Sequence, residues 1–515
     1  MSQAVRSFSK GEVAKHAFVG DLWVVIDLVV YDLSKFAPMH PGGISILLNE
    51  EVAGQDATQA FFGLHRQEVL NKLQYQKLRI GVIEGAPANA FPTVAPSDAL
   101  DKVPYAEPAW LTEGYHSPYF SEGHRRFQKV VRKFVKEVVY PDAQKKEEDG
   151  KPPSKEVLQA LADTNIIAMR LGSGRHLEGR VLLEGAVRPE EFDIFHEMIL
   201  WEEFSHIHAR GYSDGLAAGV CIGLPPVLNF GNEKLKDAII EDILSGKKLI
   251  CLAVSEAFAG SDVAGMKCSA KRTEGGWIVN GTSQGTKWIT NGMQADYFTT
   301  ACRNQSNGSI MLMVVERGQG MSTKLIRTSY STSAGTAFVT FDNMFVPDDF
   351  VISETEGLKI VLSNFNHERW VLTTASIGIY HRWVNQRRVF GKPLSSQAVV
   401  RSKLAAIISR VESCQNWLEN VTYQMKNMNY VQQATEIAGQ MALLKMYTTR
   451  ASQDTARDAV QIFGGRGITK TGMGKHIEHF HRSLLIDAVG GGAEDIMADL
   501  GVRQALRKMP KNARL

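Results

Sequence analysis

Apolar positions change their spacing along this chain, and each change marks a unit. Near the N-terminus, residues 23–26 and 29–31 are short β-type runs, with Asp27 marking the turn between them. Helical stretches are expected around 44–49, 56–61 and 67–73. Residues 85–108 lose any periodic apolar stripe and are rich in Ala and Pro, which predicts a linker, part extended and part disordered. A helical pattern runs from about 115 to 248. It gives way over 249–351 to β-type segments with Gly and Asn turns, such as 277–281 and 310–315. From 356 onward the spacing is helical again, with long runs at 357–389, 396–427 and 431–463. The expected fold is therefore multidomain α+β. A small unit spans 1–83, a linker 84–114, a helical domain 115–249, a β domain 250–355 and a second helical domain 356–515.

A length of 515 residues exceeds one ordinary core and agrees with this division. Apolar residues at 44% and charged residues at 22% are ordinary for a globular protein. A net charge of +3 is too small to point to nucleic acid or a membrane surface as the main partner. No apolar run is long enough for a membrane span, and residues 1–15 lack the apolar core of a signal peptide. Cys221, Cys251, Cys268, Cys302 and Cys414 are scattered without a C-x-x-C, which suits buried thiols in a reducing, intracellular compartment. The final Ala513-Arg514-Leu515 is close to the Ser-Lys-Leu peroxisomal address; without import the chain is expected in cytoplasm or mitochondrion.

His40-Pro41-Gly42-Gly43 is the first chemical motif. Proline biases His40 toward an extended backbone, and paired glycines let the chain pass close to a flat macrocycle. His65 follows beyond a helical stretch, and Phe36, Leu47, Phe61, Phe62 and Leu70 could wall a pocket. Together with 23–26, 30–36 and Gly54-Gln55-Asp56-Ala57-Thr58, this stretch resembles cytochrome b5 from about 8 to 83. The resemblance implies that His40 and His65 are the two axial ligands of a haem b that carries electrons rather than oxygen. Met39 stands where that family often has an acid, a change that bears on partner docking.

The second strong run is 253–263, Ala-Val-Ser-Glu-Ala-Phe-Ala-Gly-Ser-Asp-Val, whose small residues, hydroxyl and acid suit close approach to a polar ring or phosphate. Lys287-Trp288-Ile289-Thr290-Asn291-Gly292 adds an indole that could pack on a planar cofactor and a hydroxyl that could donate to a ring nitrogen. Arg387–Leu394 with Gln397, and Gln461–Gly467, complete the set. In this order the runs resemble the acyl-CoA dehydrogenase family over roughly 115–507, although Thr471 departs from its second signature. The resemblance implies FAD contacts from Val254, Ser255, Gly260, Ser261, Trp288 and Thr290, and from Arg387, Gln397, Gln461, Gly464 and Gly465. It also implies a homodimer or homotetramer.

In many members of that family the base that removes the α-proton of an acyl thioester precedes a Gly-Thr near the C-terminus. Here Gly491 stands at that place. A minority carry the glutamate on the first long helix of the C-terminal domain, which here contains His367-Glu368-Arg369-Trp370. Leu358, Val361, Phe365, Leu372, Ala375 and Ile379 recur at helical spacing with Glu368 on the same stripe. A carboxylate on an apolar face is costly unless paired or used, and burial raises its pKa toward that of a working base. Glu368 is the expected base, with Glu494 as fallback. Tyr212–Gly215 is expected at the mouth of the acyl cavity, and His476, His479 and His481 lack an acidic or Cys partner in register for a metal. The reading is FAD-dependent α,β-dehydrogenation of an acyl-CoA or other acyl thioester, with electrons passing to or from the fused haem or a redox partner protein. A flavin oxidase or monooxygenase and a non-catalytic acyl-CoA binding protein are the alternatives.

Overall fold

The computed structural model describes residues 5–65, 67–70, 72–87, 90, 97–101, 104–375, 388–389, 392–510 and 512–513. Arg387, Ile379, Arg514 and Leu515 lie outside the described residues. Two compact units divide the chain. One takes 1–104, 380–406 and 458–478; the other takes 105–379, 407–457 and 479–515.

In the first unit, β1 (Ser7–Phe8), β2 (Ala17–Phe18), β3 (Asp21–Ile26), β4 (Val29–Asp32) and β5 (Arg79–Ile83) form one sheet in the order β1-β5-β4-β3-β2. Alternation along β3 sends Leu22, Val24 and Ile26 into one apolar cluster and Trp23 and Val25 into another. The β3–β4 turn places Asp27 and Leu28 at φ 51 and 67, a left-handed pair that reverses the chain in two residues. The helix expected over 56–61 begins later, at Thr58–Leu64; Asp56 accepts the Thr58 N–H at 3.0 Å, holding the two preceding residues in a turn.

The second unit opens with helices, among them Glu122–Phe134, Ile194–Ser205 and Arg210–Gly223. A nine-stranded sheet follows: β6 (Ile250–Ala253), β7 (Ser269–Thr273), β8 (Gly276–Gly281), β9 (Lys287–Ile289), β10 (Tyr297–Asn304), β11 (Ile310–Glu316), β12 (Met321–Leu325), β13 (Ala337–Pro347) and β14 (Val351–Ser353). Its main path runs β12-β13-β8-β7-β10-β11-β14, with β6 beside β10 and β9 beside β13. Phe298, Met311, Met313, Val315, Val339 and Phe341 fill its core. All five cysteines are buried and free.

Helices return at Gly357–Ala375, Ala398–Lys426 and Ala438–Phe463. The helical run expected through 389 is not continuous. Arg388–Val389 is extended and pairs with Lys392–Pro393. Proline there removes a donor and biases Lys392 away from helix.

One ion pair is buried completely beside the sheet core. Lys287 on β9 and Glu256 just after β6 are both 0% exposed in their side chains, with Nζ 2.7 Å from Oε1. Lys287 also donates to the carbonyls of Val254 and Ala301, and Glu256 accepts the backbone N–H groups of Lys267 and Cys268. Every charge is therefore met by several partners. Lys287→Met removes the cation and leaves a buried carboxylate; we expect a loss of about 3–5 kcal/mol, read as a fall in the urea midpoint. A loss below about 1 kcal/mol would show that the backbone donors alone suffice for Glu256.

Candidate functional site

The N-terminal unit carries an apolar cavity with two imidazoles facing into it. About 1120 Å³ of open space, including its mouth, is walled by Val24, Tyr31, Phe36, Leu47, Phe61 and Leu70 among others. The ring centroids of His40 and His65 are 6.0 Å apart. Two metal–nitrogen bonds of about 2.0–2.1 Å, plus roughly 1.1 Å from each nitrogen to its ring centre, place coaxial imidazoles about 6 Å apart. The spacing fits one iron held between the two rings. His40 Nδ1 lies 3.3 Å from the Gly43 carbonyl, an arrangement that leaves Nε2 free as the ligand atom. A Cβ on Gly42 would meet His40 Cε1 at 3.0 Å and Ile46 Cδ1 at 3.1 Å, so glycine there keeps the ring in place. Burial and the neighbouring His40 both push the His65 pKa down, which keeps a neutral, ligating imidazole.

In the second unit, the runs around Val254 and Trp288 are brought together by β9. The Trp288 backbone N–H donates to the Ser255 carbonyl at 2.9 Å, and the Lys287–Glu256 pair ties the same segments. Val254 is buried, whereas Ser255, Gly260 and Ser261 are exposed. Trp288 is 45% exposed, in contrast to Trp110, Trp277 and Trp370 at 2% or less. An indole left open beside exposed hydroxyls fits a planar, polar cofactor such as the flavin ring. Thr290 sits next in line, near the Tyr330 hydroxyl, which is hydrogen-bonded to Thr336 at 3.3 Å. Gln397, Gln461, Gly464 and Gly465 belong to the first unit: Gln397 is half-buried just before the Ala398–Lys426 helix, and the others lie at or just past the end of Ala438–Phe463. Gly464 has φ 62, the left-handed conformation that ends that helix.

Glu368 lies on the Gly357–Ala375 helix. That helix packs Leu358, Ile360, Val361 and Phe365 against Val254, Met266 and Leu312, so its apolar stripe rests on the same strand end that carries Ser255. Burial pushes the Glu368 pKa above the usual carboxylate range, while Arg369, Lys445 and His367 work against that rise and Asp214 adds to it. Arg369 points elsewhere, donating through Nε to the Gly491 carbonyl at 2.9 Å. A Cβ built on Gly491 would lie 3.8 Å from the Glu368 carboxyl carbon and 3.1 Å from Leu372 Cδ1. The Glu368 carboxyl thus lies in contact with the position that the first side-chain carbon at 491 would take. Glu494 is engaged elsewhere, accepting from Gln453 at 2.7 Å and facing Arg450.

Tyr212 departs from the expectation of a cavity mouth. It is fully buried, its hydroxyl donates to Asp142 at 2.7 Å and its N–H to Glu147 at 2.8 Å, so it is a packing residue. Its neighbour Asp214 is paired with Arg210, which also holds Asp487 at 2.6 Å. The Asn291 amide donates to the Asp214 carbonyl, tying this cluster to the segment after Thr290. His479 accepts the Arg210 N–H through Nε2 at 2.9 Å. His124, Asp193 and His196 also cluster, with one potential ligand atom each within 4.8 Å. Asp193 Oδ1, however, accepts the N–H groups of Phe195 and His196, and Lys426 sits 2.7 Å from Oδ2, so the cluster is a helix cap. Sequence reasoning missed Arg210, Asp487 and Lys445. Arg210 and Asp487 are 277 positions apart, and nothing local marks them as partners.

Comparison with known proteins agrees with both halves. Residues 9–84 match the cytochrome b5-like heme/steroid binding domain. Residues 121–247, 251–344 and 355–506 match the N-terminal, middle and C-terminal domains of acyl-CoA dehydrogenase. The acyl-CoA dehydrogenase apdG of Emericella nidulans is 32% identical over 431 residues, covering 79% of this chain and 96% of that protein. The mitochondrial isovaleryl-CoA dehydrogenase of Solanum tuberosum is 28% identical, covering 73% and 89%. The crystal structure of a putative acyl-CoA dehydrogenase from Mycobacterium smegmatis superposes with a TM-score of 0.65 at 24% identity, over 76% of this chain and all of that one, a likeness of fold. No described helix is long and apolar enough to cross a membrane. The chain therefore belongs to the acyl-CoA dehydrogenase family of FAD-dependent oxidoreductases, with a cytochrome b5-like haem-binding domain at its N-terminus.

Proposed function

We propose that this protein desaturates an acyl-CoA between its α and β carbons, with Glu368 as the base. The observation that carries the reading is that the Glu368 carboxyl carbon lies 3.8 Å from where a Cβ at Gly491 would stand, so an acid on the helix reaches the same neighbourhood as one on the turn would. Glu368 takes the α-proton, the C–H pair becomes the new C=C bond, and the β-hydrogen leaves with two electrons. FAD, when bound, supplies the acceptor for that hydride. Val254, Ser255, Gly260, Ser261, Trp288 and Thr290 are the residues that would hold its ring end. Arg387, Gln397, Gln461, Gly464 and Gly465 would hold the rest. The base must be ionised to act, and its pKa lies above the ordinary carboxylate range. Turnover therefore falls as pH drops through that raised value.

The haem-binding unit is proposed to carry electrons, one at a time, to or from the flavin-binding unit or an outside redox protein. His40 and His65 are the residues that would hold the haem, which would supply one-electron transfer there. A homodimer or homotetramer is also proposed. Exposed Val502, Leu506 and Met509 near the C-terminus offer apolar surface for such contacts.

Glu368→Gln keeps the shape and removes the base. We expect kcat with an acyl-CoA substrate to drop by about 10²–10⁴-fold while FAD content is retained; normal turnover would remove Glu368 from the mechanism. His65→Ala is expected to abolish the low-spin bis-imidazole haem spectrum without loss of flavin; an unchanged spectrum would assign the second ligand elsewhere. Anaerobic stopped-flow mixing with an acyl-CoA that bleaches the flavin should show haem reduction following flavin reduction. Bleaching with a haem that stays oxidised would count against electron exit through the b5 unit.

A further inference from the structure

Lys445 is 0% exposed, yet among the described residues it forms no salt bridge with a carboxylate. Its ammonium instead donates to two backbone carbonyls, Ala488 at 3.2 Å and Gly492 at 2.7 Å. Arg369 holds the carbonyl between them, Gly491, at 2.9 Å. Two cations from two different helices thus grip one turn. That turn needs gripping: Gly491 and Gly492 sit at φ 62 and 109, conformations with little intrinsic preference to persist. It also lies directly against Glu368, as the 3.8 Å approach from a Cβ at 491 shows.

We propose that Lys445 is a positioning residue for the Glu368 base, clasping the glycine turn of 490–492 against the carboxyl and supplying a fixed positive charge beside it. This inference rests on Glu368 being the base. Removing a cation from water without a counter-ion is costly, and a structure that needed only to hold a turn could use a neutral donor. The charge has a use if a carboxylate must ionise nearby. Glu368 is faced by Arg369, Lys445 and His367, which favour ionisation, and by Asp214, which opposes it. The Cys221 thiol is also close enough to feel the Glu368 charge. Lys445 itself is faced by Asp487, Glu494 and Glu368, with Arg369 repelling it. Burial lowers its pKa to about 8, so it remains an ammonium at neutral pH. His367 is committed to Glu197 at 2.6 Å and Arg369 to the Gly491 carbonyl at 2.9 Å, and among the described residues no carboxylate is bound to Lys445.

The test compares K445Q, K445R and E368Q with the wild type, each as the full-length flavoprotein. Octanoyl-CoA and isovaleryl-CoA are the probes, and kcat and KM are followed across pH. K445Q keeps an N–H donor for the carbonyls and loses the charge; its acid limb of kcat should move up by about one pH unit, with about a tenfold loss of kcat below that limb and KM little changed. K445R keeps the charge, and its acid limb should stay within a few tenths of the wild type. Acid limbs that coincide in K445Q and wild type overturn the inference. So does a K445Q whose kcat falls equally at every pH, since a merely structural role predicts that pattern. If K445Q does not fold, K445R decides: an acid limb displaced by more than about half a unit overturns the inference, and one left in place with kcat retained upholds it. E368Q separates the two levels. Normal turnover in E368Q removes the base and this role with it, whereas an inactive E368Q beside a silent K445Q rejects only Lys445.

Discussion

Lys287 finds a carboxylate and two carbonyls waiting for it only because β6, β9 and β10 converge where its side chain ends. A buried charge tolerates few alternatives: each missing partner costs on the order of kcal/mol, so the surrounding backbone is held to one arrangement. The segments carrying Ser255 and Trp288 are fixed by that requirement. The same constraint recurs through the larger unit. Arg132 is met by Glu107 and Glu203, Arg210 by Asp214 and Asp487, and Lys445 by the carbonyls of the glycine turn. Apolar packing brings the helices and the sheet together, and these charges determine which loop meets which.

The surroundings of Glu368 follow the same logic. A carboxylate on an apolar stripe is unfavourable alone, and here Arg369, Lys445 and His367 lie around it, none of them, among the described residues, hydrogen-bonded to it. Their combined field limits the rise that burial imposes, while a free carboxyl remains available for a proton. The glycines at 490–492 are part of that arrangement. A Cβ at 491 would press on Leu372 Cδ1 at 3.1 Å and touch the Glu368 carboxyl carbon at an ordinary contact distance of 3.8 Å, so the helix position and the turn position are direct neighbours.

The N-terminal unit relies on geometry more than on charge. Its two imidazoles are presented across an apolar cavity at a spacing suited to one iron, with Gly42 clearing room for one ring and the Gly43 carbonyl orienting it. An apolar surround and neutral ligands together suit an electron carrier, since neither the site nor its water must reorganise much when the charge changes.

Local sequence determined a good deal. The switch from helical to alternating apolar spacing marks the sheet, because burial on one face imposes the period of the element. The haem motif is legible because its ligand, proline and glycines are contiguous, and the flavin-loop runs are legible for the same reason. Glu368 stands out because an acid on an apolar stripe is anomalous wherever the helix packs. Tertiary structure decided the rest. Tyr212 reads as a cavity residue in the chain and proves to be a buried packing group, since Asp142 and Glu147 reach it from another helix. Arg210 with Asp487, and Lys445 with the 488–492 carbonyls, carry no local signature at all. Electrostatic partnership depends on distance in space, and only the folded chain brings positions so remote in sequence within hydrogen-bonding reach.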